Sequence, residues 1–89
     1  MTWKIEFDPK AFAELEQLDR QVQQRIVKVL RERIAPLKDP RSVGEGLRGK
    51  DIGRFWKIRI GDYRLICDIQ DDRIRIQVLR IGNRKEIYR

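Results

Sequence analysis

Beyond residue 53 the hydrophobic period of the chain becomes two and stays there. The segments Arg54 to Ile60, Tyr63 to Gln70 and Arg73 to Ile81 all alternate apolar with polar residues, and Gly61-Asp62 and Asp71-Asp72 separate them. Period two is the period of a pleated strand and is incompatible with an amphipathic helix, so this half of the chain predicts three strands joined by tight turns. The first segment, Thr2 to Phe7, alternates in the same way and places Trp3, Ile5 and Phe7 on one strand face.

Between these regions the period is helical. Asp8-Pro9 offers an N-cap and a first-turn proline. Phe12, Leu15 and Leu18, then Val22, Ile26, Val29, Leu30 and Ile34, recur at helical spacing, with Asp19 as a second N-cap. This predicts a helical hairpin packed through one apolar stripe. Pro36 and Asp39-Pro40 end it, and Gly44, Gly46, Gly49 and Gly53 mark a loop region interrupted by Leu47-Arg48. The expected architecture is α+β: an N-terminal strand, a helical hairpin and a three-stranded antiparallel meander that completes one antiparallel or mixed sheet, with the helices on one face.

With 89 residues, the chain is expected to form a single small domain over residues 1–89. Its net charge of +7 is unevenly distributed, with an excess of +2 over residues 1–44 and +5 over residues 45–89. Such a field attracts nucleic acid, anionic lipid or an acidic protein. The one cysteine, Cys67, lies between Leu65 and Ile69 on the apolar face, which predicts a buried structural thiol. With no histidine and a single cysteine the usual zinc constellations are absent, and no metal or other cofactor is expected. No apolar run approaches the length of a signal segment or a membrane span, so the expected location is cytoplasmic, without a membrane partner.

Strand alternation divides the side chains between two faces. Trp56, Ile58, Ile60, Leu65, Cys67, Ile69, Ile74, Ile76 and Val78 point to the core, whereas Lys57, Arg59, Arg64, Ile66, Asp68, Arg73, Arg75 and Gln77 point away from it. A solvated sheet face explains outward polar residues, but not their sign bias, because like charges opposed across strands destabilise a sheet. Lys57, Arg59 and Arg64 near one turn suit a bound anion.

Such a surface has the elements needed to cleave RNA. The reaction deprotonates a 2′-hydroxyl, neutralises charge on the phosphorane and protonates the departing 5′-oxygen. Histidine commonly moves such protons and is absent, which leaves lysine and tyrosine, whose ordinary pKa values lie near about 10. Neighbouring cations favour neutral lysine and anionic tyrosinate, so either Lys57 among its arginines or Tyr88 beside Arg84 can serve as base. Arginine remains charged and clamps phosphate through two donors, which suits Arg64 and Arg84 to stabilising the transition state. Asp71-Asp72 is read as turn chemistry, and the glycines around residue 49 form no nucleotide-binding motif.

Leu47-Arg48-Gly49, Trp56-Lys57-Ile58-Arg59-Ile60, Tyr63-Arg64-Leu65 and Ile81-Gly82-Asn83-Arg84-Lys85-Glu86-Ile87-Tyr88, in that order, resemble the RelE branch of the RelE/ParE toxin superfamily. The resemblance spans almost the whole chain. It implies a RelE-like fold and the toxin of a type II toxin-antitoxin pair, a ribosome-dependent endoribonuclease that cuts mRNA in the A site by 2′-hydroxyl attack. It implies catalytic roles for Lys57, Arg64, Arg84 and Tyr88, with Arg59, Arg48 and Lys50 binding RNA phosphates. The implied partners are the ribosome with its mRNA and a RelB-like antitoxin through which the complex binds operator DNA.

Two features depart from the family pattern. Arg59 stands where the prototype has a second lysine, which excludes a neutral base there, and the spacing from Arg84 to Tyr88 is short. Two competing expectations are a ParE-like inhibitor of DNA gyrase on the same fold and a non-catalytic RNA- or ribosome-binding module.

Overall fold

The computed structural model describes residues 2–47 and 55–83. Strand β1 (Lys4–Phe7) leads into helix α1 (Pro9–Glu16) and helix α2 (Arg20–Val29). A short glycine-containing strand, β2 (Glu45–Gly46), precedes β3 (Trp56–Ile60), β4 (Tyr63–Gln70) and β5 (Arg75–Asn83). The strands form one sheet in the order β1-β5-β4-β3-β2, with β1 parallel to β5 and the other pairs antiparallel. The sheet is therefore mixed, and the meander β3-β4-β5 forms its centre. Among the described residues, no helix is long and apolar enough to cross a membrane.

The alternation in the sequence becomes the two faces of this sheet. Ile58, Ile60, Leu65, Cys67, Ile69, Ile76 and Val78 join Ala11, Leu15, Ile26, Leu30 and Ile34 of the helical layer in one buried cluster. Trp56 packs against that cluster, and its indole N–H donates to the Val43 carbonyl at 2.6 Å. Burying the Cys67 thiol pushes its pKa up to about 12, with a smaller contribution from the Asp68 charge. It is a core side chain, not a reactive one.

Several local expectations fail for identifiable reasons. Phe12, expected in the apolar stripe, is 51% exposed, because α1 turns Ala11 and Leu15 toward the sheet instead. Asp8 and Asp19 occupy N-cap positions without capping through their side chains, and the Asp8 carboxylate instead accepts from Gln77. The second helix ends in a π-helical turn over Leu30–Ile34, closed by the Ala35 amide donating to the Leu30 carbonyl at 2.8 Å.

The third predicted strand starts later and changes phase. Residues Asp71–Arg73 form a 3-10 turn that ends at Ile74, a left-handed residue with φ of 50°, so Arg73 and Ile74 precede β5. Farther along, Ile66 pairs with Arg80 and Cys67 with Val78, which leaves Leu79 as an extra residue in β5. This bulge resets the alternation, so Ile81 enters the core together with Val78. Opposite the bulge, Ile66 is only 9% exposed, although it points away from the core cluster.

Arg41 ties the long connection to the far end of the sheet. Its guanidinium donates to both carboxylate oxygens of Asp71, at 3.0 and 2.8 Å, and to the Ile69 carbonyl at 3.2 Å. The hydrogen bond from Arg41 holds the Asp71 carboxyl below its ordinary pKa, and the same bond raises that of Arg41. Asp71 thus does more than shape a turn.

Candidate functional site

The sheet face opposite the helices is organised in cross-strand rows. Arg59 of β3 stands opposite Arg64 of β4, which in turn stands opposite Gly82 of β5. The next row contains Glu45, Lys57, Ile66 and Arg80. Farther along, Glu6, Gln77 and Asp68 align, followed by Lys4, Arg75 and Gln70. Neighbouring strands lie about 4.8 Å apart, so each row is a short line of adjacent side chains.

These rows have different electrostatic character. In the far rows, Gln70 donates to Asp68 and Gln77, Arg75 donates to Gln70, and Arg75 forms an ion pair with Glu6 at 3.0 Å. That end holds a mixed-charge network of Gln70, Asp68, Gln77, Arg75 and Glu6, with the exposed Lys4 at its margin. Arg75, expected to point outward on the basic face, is therefore committed to structure. The cationic character concentrates at the opposite end, around the β3-β4 turn, where Lys57, Arg59 and Arg64 gather.

Lys57 is more enclosed than Arg59. Its side chain is 15% exposed, and its ammonium pairs with the carboxylate of Glu45. Strand β2 places Glu45 directly opposite Lys57, and Gly44 allows the approach. Gly44 has φ of 77°, and a side chain there would collide with the Lys57 carbonyl and lie 2.9 Å from the Trp56 indole nitrogen. Sequence reasoning missed Glu45. The available signal was Gly44-Glu45-Gly46, a carboxylate between two residues able to come close to a neighbouring strand.

Arg59 is exposed and its Nε lies 3.5 Å from the Gly61 carbonyl it donates to. Arg64 is half-buried. Of the residues singled out in the sequence, the structure therefore brings Lys57, Arg59 and Arg64 together on one face. Arg48, Lys50, Arg84 and Tyr88 lie outside the described residues.

At the neighbouring edge, Glu14 of α1 accepts from the Ile81 amide at 3.0 Å and forms an ion pair with Arg80 at 3.2 Å. β1 has already ended at Phe7, so the β5 edge is open there, and this carboxylate provides the backbone partner that a neighbouring strand would have supplied. It anchors the C-terminal end of β5. Among the described residues, no group of three His, Cys, Asp or Glu side chains converges in a way that would hold a metal ion.

Residues 5–88 match the family model described as the ParE toxin of the type II toxin-antitoxin system, parDE. The chain is 30% identical over 90 residues to the mRNA interferase toxin RelE of Escherichia coli, an alignment covering 99% of this chain and 92% of that protein. It is 38% identical over 52 residues to toxin RelG of Mycobacterium tuberculosis, covering 58% and 59%. The fold superposes with a TM-score of 0.83 on a chain of the toxin-antitoxin complex RelBE2 from M. tuberculosis, at 23% identity and covering 97% and 95% of the two chains. It superposes with a TM-score of 0.73 on a variant E. coli toxin RelE in complex with an antitoxin RelBc peptide, at 27% identity and covering 99% and 92%.

Proposed function

The chain belongs to the RelE/ParE toxin superfamily, and from that premise we propose that it is an mRNA interferase, the toxin of a type II pair, which cleaves messenger RNA on the ribosome. The observation that carries this reading is the concentration of Lys57, Arg59 and Arg64 at one end of a sheet face whose other end mixes acidic, amide and basic side chains in the Gln70, Asp68, Gln77, Arg75 and Glu6 network. A surface designed only for solubility would have no reason to separate its charges in this way.

The chemistry is an internal transesterification. The 2′-oxygen attacks the adjacent phosphorus, the bond from phosphorus to the 5′-oxygen breaks, and a cyclic phosphate and a 5′-hydroxyl result. One proton leaves the 2′-hydroxyl and one reaches the departing oxygen. Arg64, with Arg84, stabilises the charge that accumulates on the phosphorane, and Arg59 binds the backbone beside it. In its ion pair, Lys57 Nζ is a donor. This supports charge stabilisation or proton donation by Lys57, and in this reading Tyr88 is the base. Arg48 and Lys50 hold flanking phosphates.

The partners of this function are a cytoplasmic ribosome with its message and a RelB-like antitoxin, through which the complex contacts operator DNA. The experiment is induced expression without antitoxin, followed by sequencing of RNA 5′ ends, in wild type and Arg84→Ala. Cuts within translated codons that vanish in the variant are expected. Growth arrest with intact messages would overturn the reading.

A second reading follows from the family model, whose description is that of ParE. In that case the chain inhibits DNA gyrase and performs no RNA chemistry. The joint presence of Lys57, Arg64, Arg84 and Tyr88 favours the nuclease, since a gyrase binder does not need that set. Supercoiling by purified gyrase in the presence of the protein separates the two.

A further inference from the structure

The cationic corner does not stop at the sheet. Gly61, in the β3-β4 turn, has φ of 60°, and a Cβ built on it would lie 3.5 Å from Nη1 of Arg25 in α2. Arg59 donates to the carbonyl of the same glycine. Two guanidinium groups from different layers of the protein therefore converge on one turn. Beyond Arg25, the exposed Lys28 and Arg33 join it around a shallow recess of about 320 Å³.

We infer that Arg64, Arg59, Arg25 and Lys28 form a continuous phosphate-binding ridge that carries an RNA strand from the sheet face around Gly61 onto α2. The inference rests on the proposed RNA-directed function and names a route for the backbone beyond the reacting phosphate. Clustering arginines around a tight turn is unfavourable unless an anion arrives, and among the described residues no carboxylate forms an ion pair with Arg25 or Lys28. Asp62 in the turn and Glu32 beside the recess leave the ridge net positive.

The chemistry of the ridge favours nucleic acid over an acidic protein segment. A protein partner gains much of its affinity from buried apolar anchors. The large apolar side chain exposed among the described residues, Phe12, borders a different groove, with Phe7, Val27 and Arg31. The ridge offers charge and guanidinium donors, which match a phosphate backbone irrespective of base sequence.

The test is a salt titration of binding between the full chain and a 2′-O-methyl RNA oligonucleotide, which cannot be cleaved by 2′-hydroxyl attack. Removing one phosphate contact to single-stranded RNA lowers the slope of log affinity against log salt by about 0.7. Arg25→Gln is expected to produce that decrease and to weaken binding equally for different base sequences. Arg25→Lys is expected to retain the slope, and Arg31→Gln, the same charge change off the ridge, to leave it unaltered. Equal decreases for Arg25→Gln and Arg31→Gln, or none for Arg25→Gln, would overturn the ridge. So would Arg25-dependent binding of a polyglutamate peptide in place of the RNA. Cleavage of ribosome-bound message is read separately: a chain that cleaves with an unaltered Arg25→Gln slope sinks the ridge alone. A chain that binds along the ridge but never cleaves sinks the nuclease reading alone.

Discussion

Arg59 and Arg64 stand directly opposite one another across the β3-β4 ladder, on the face away from the core. Directly opposed like charges destabilise a sheet, and cross-strand pair effects run to about 0.2–1 kcal/mol. A protein selected only for stability would replace one of them. Arg59→Thr is therefore expected to raise the unfolding midpoint while weakening RNA binding and cleavage. The stability gain should shrink in high salt, which screens exposed charges. Thermal unfolding at two ionic strengths checks it, and a loss of stability at low salt would contradict the argument.

The ion pair between Glu45 and Lys57 sets up a second opposition. To donate to a phosphate, the lysine must exchange its carboxylate partner for the substrate. Glu45→Gln removes that competition and is expected to increase single-turnover cleavage of ribosome-bound message. Lys57→Met should lower it by about 10²–10⁴-fold if the lysine transfers a proton in the reaction. Cleavage unaffected by Lys57→Met would remove this residue from the chemistry.

Gly44 makes that arrangement possible through its backbone. Its positive φ disfavours any side chain, and an added Cβ meets the Lys57 carbonyl, a backbone atom that cannot swing away. Gly44→Ala should destabilise the fold by about 1–3 kcal/mol. At Gly46 the nearest atom to an added Cβ is a Trp56 ring carbon at 3.3 Å, and φ is not positive, so Gly46→Ala is expected to cost much less. Chemical denaturation of the two variants distinguishes them; equal effects would show that β2 is not held through Gly44.

How far the sequence discloses these features depends on how local their causes are. Alternation is a property of consecutive residues, so β1, β3, β4 and the separation of Lys57, Arg59 and Arg64 from Ile58, Ile60 and Leu65 could be read directly. The parallel pairing of β1 with β5 joins residues some 70 positions apart, as in Lys4 with Arg75, and has no local signature. The Leu79 bulge reveals itself only as a break in phase between Val78 and Ile81. Phe12 satisfies the helical spacing as well as Ala11 does; the docking angle of α1 on β5, set by contacts distant in sequence, decides which is buried. Glu45 belongs to a two-residue strand, too short for periodicity to mark. Arg84 and Tyr88 stand out by their chemistry, but no alternation pattern links them to Lys57, Arg59 and Arg64; only the family resemblance implies that link, and both lie outside the described residues.

The buried thiol gives a sharp negative expectation. With its pKa pushed up to about 12 and no solvent access, Cys67 should resist alkylation at pH 8 in the folded protein. Labelling should occur only as fast as the molecule opens globally, so its rate should follow stability across the Gly44→Ala and Gly46→Ala variants. Rapid labelling of the native protein, measured by mass spectrometry, would mean that the sheet opens locally around β4.

Acid stability should depend on Arg41. The Asp71 carboxyl is held below its ordinary value mainly by the hydrogen bond from Arg41, so the folded state binds this proton less readily than the unfolded chain. The resulting stabilisation is complete above the unfolded pKa, about 3.9 for Asp, and is lost as pH falls through the lower folded value. In Arg41→Met the main cause of the depression is removed, and the acid limb of the stability curve should flatten in that window. Asp71→Asn should flatten it in the same way. The double variant should add nothing further, because the two groups act as one pair. Urea unfolding followed from pH 6 to pH 2 measures the three curves, and an acid limb in Arg41→Met as steep as in the wild type would show that other carboxylates govern acid unfolding.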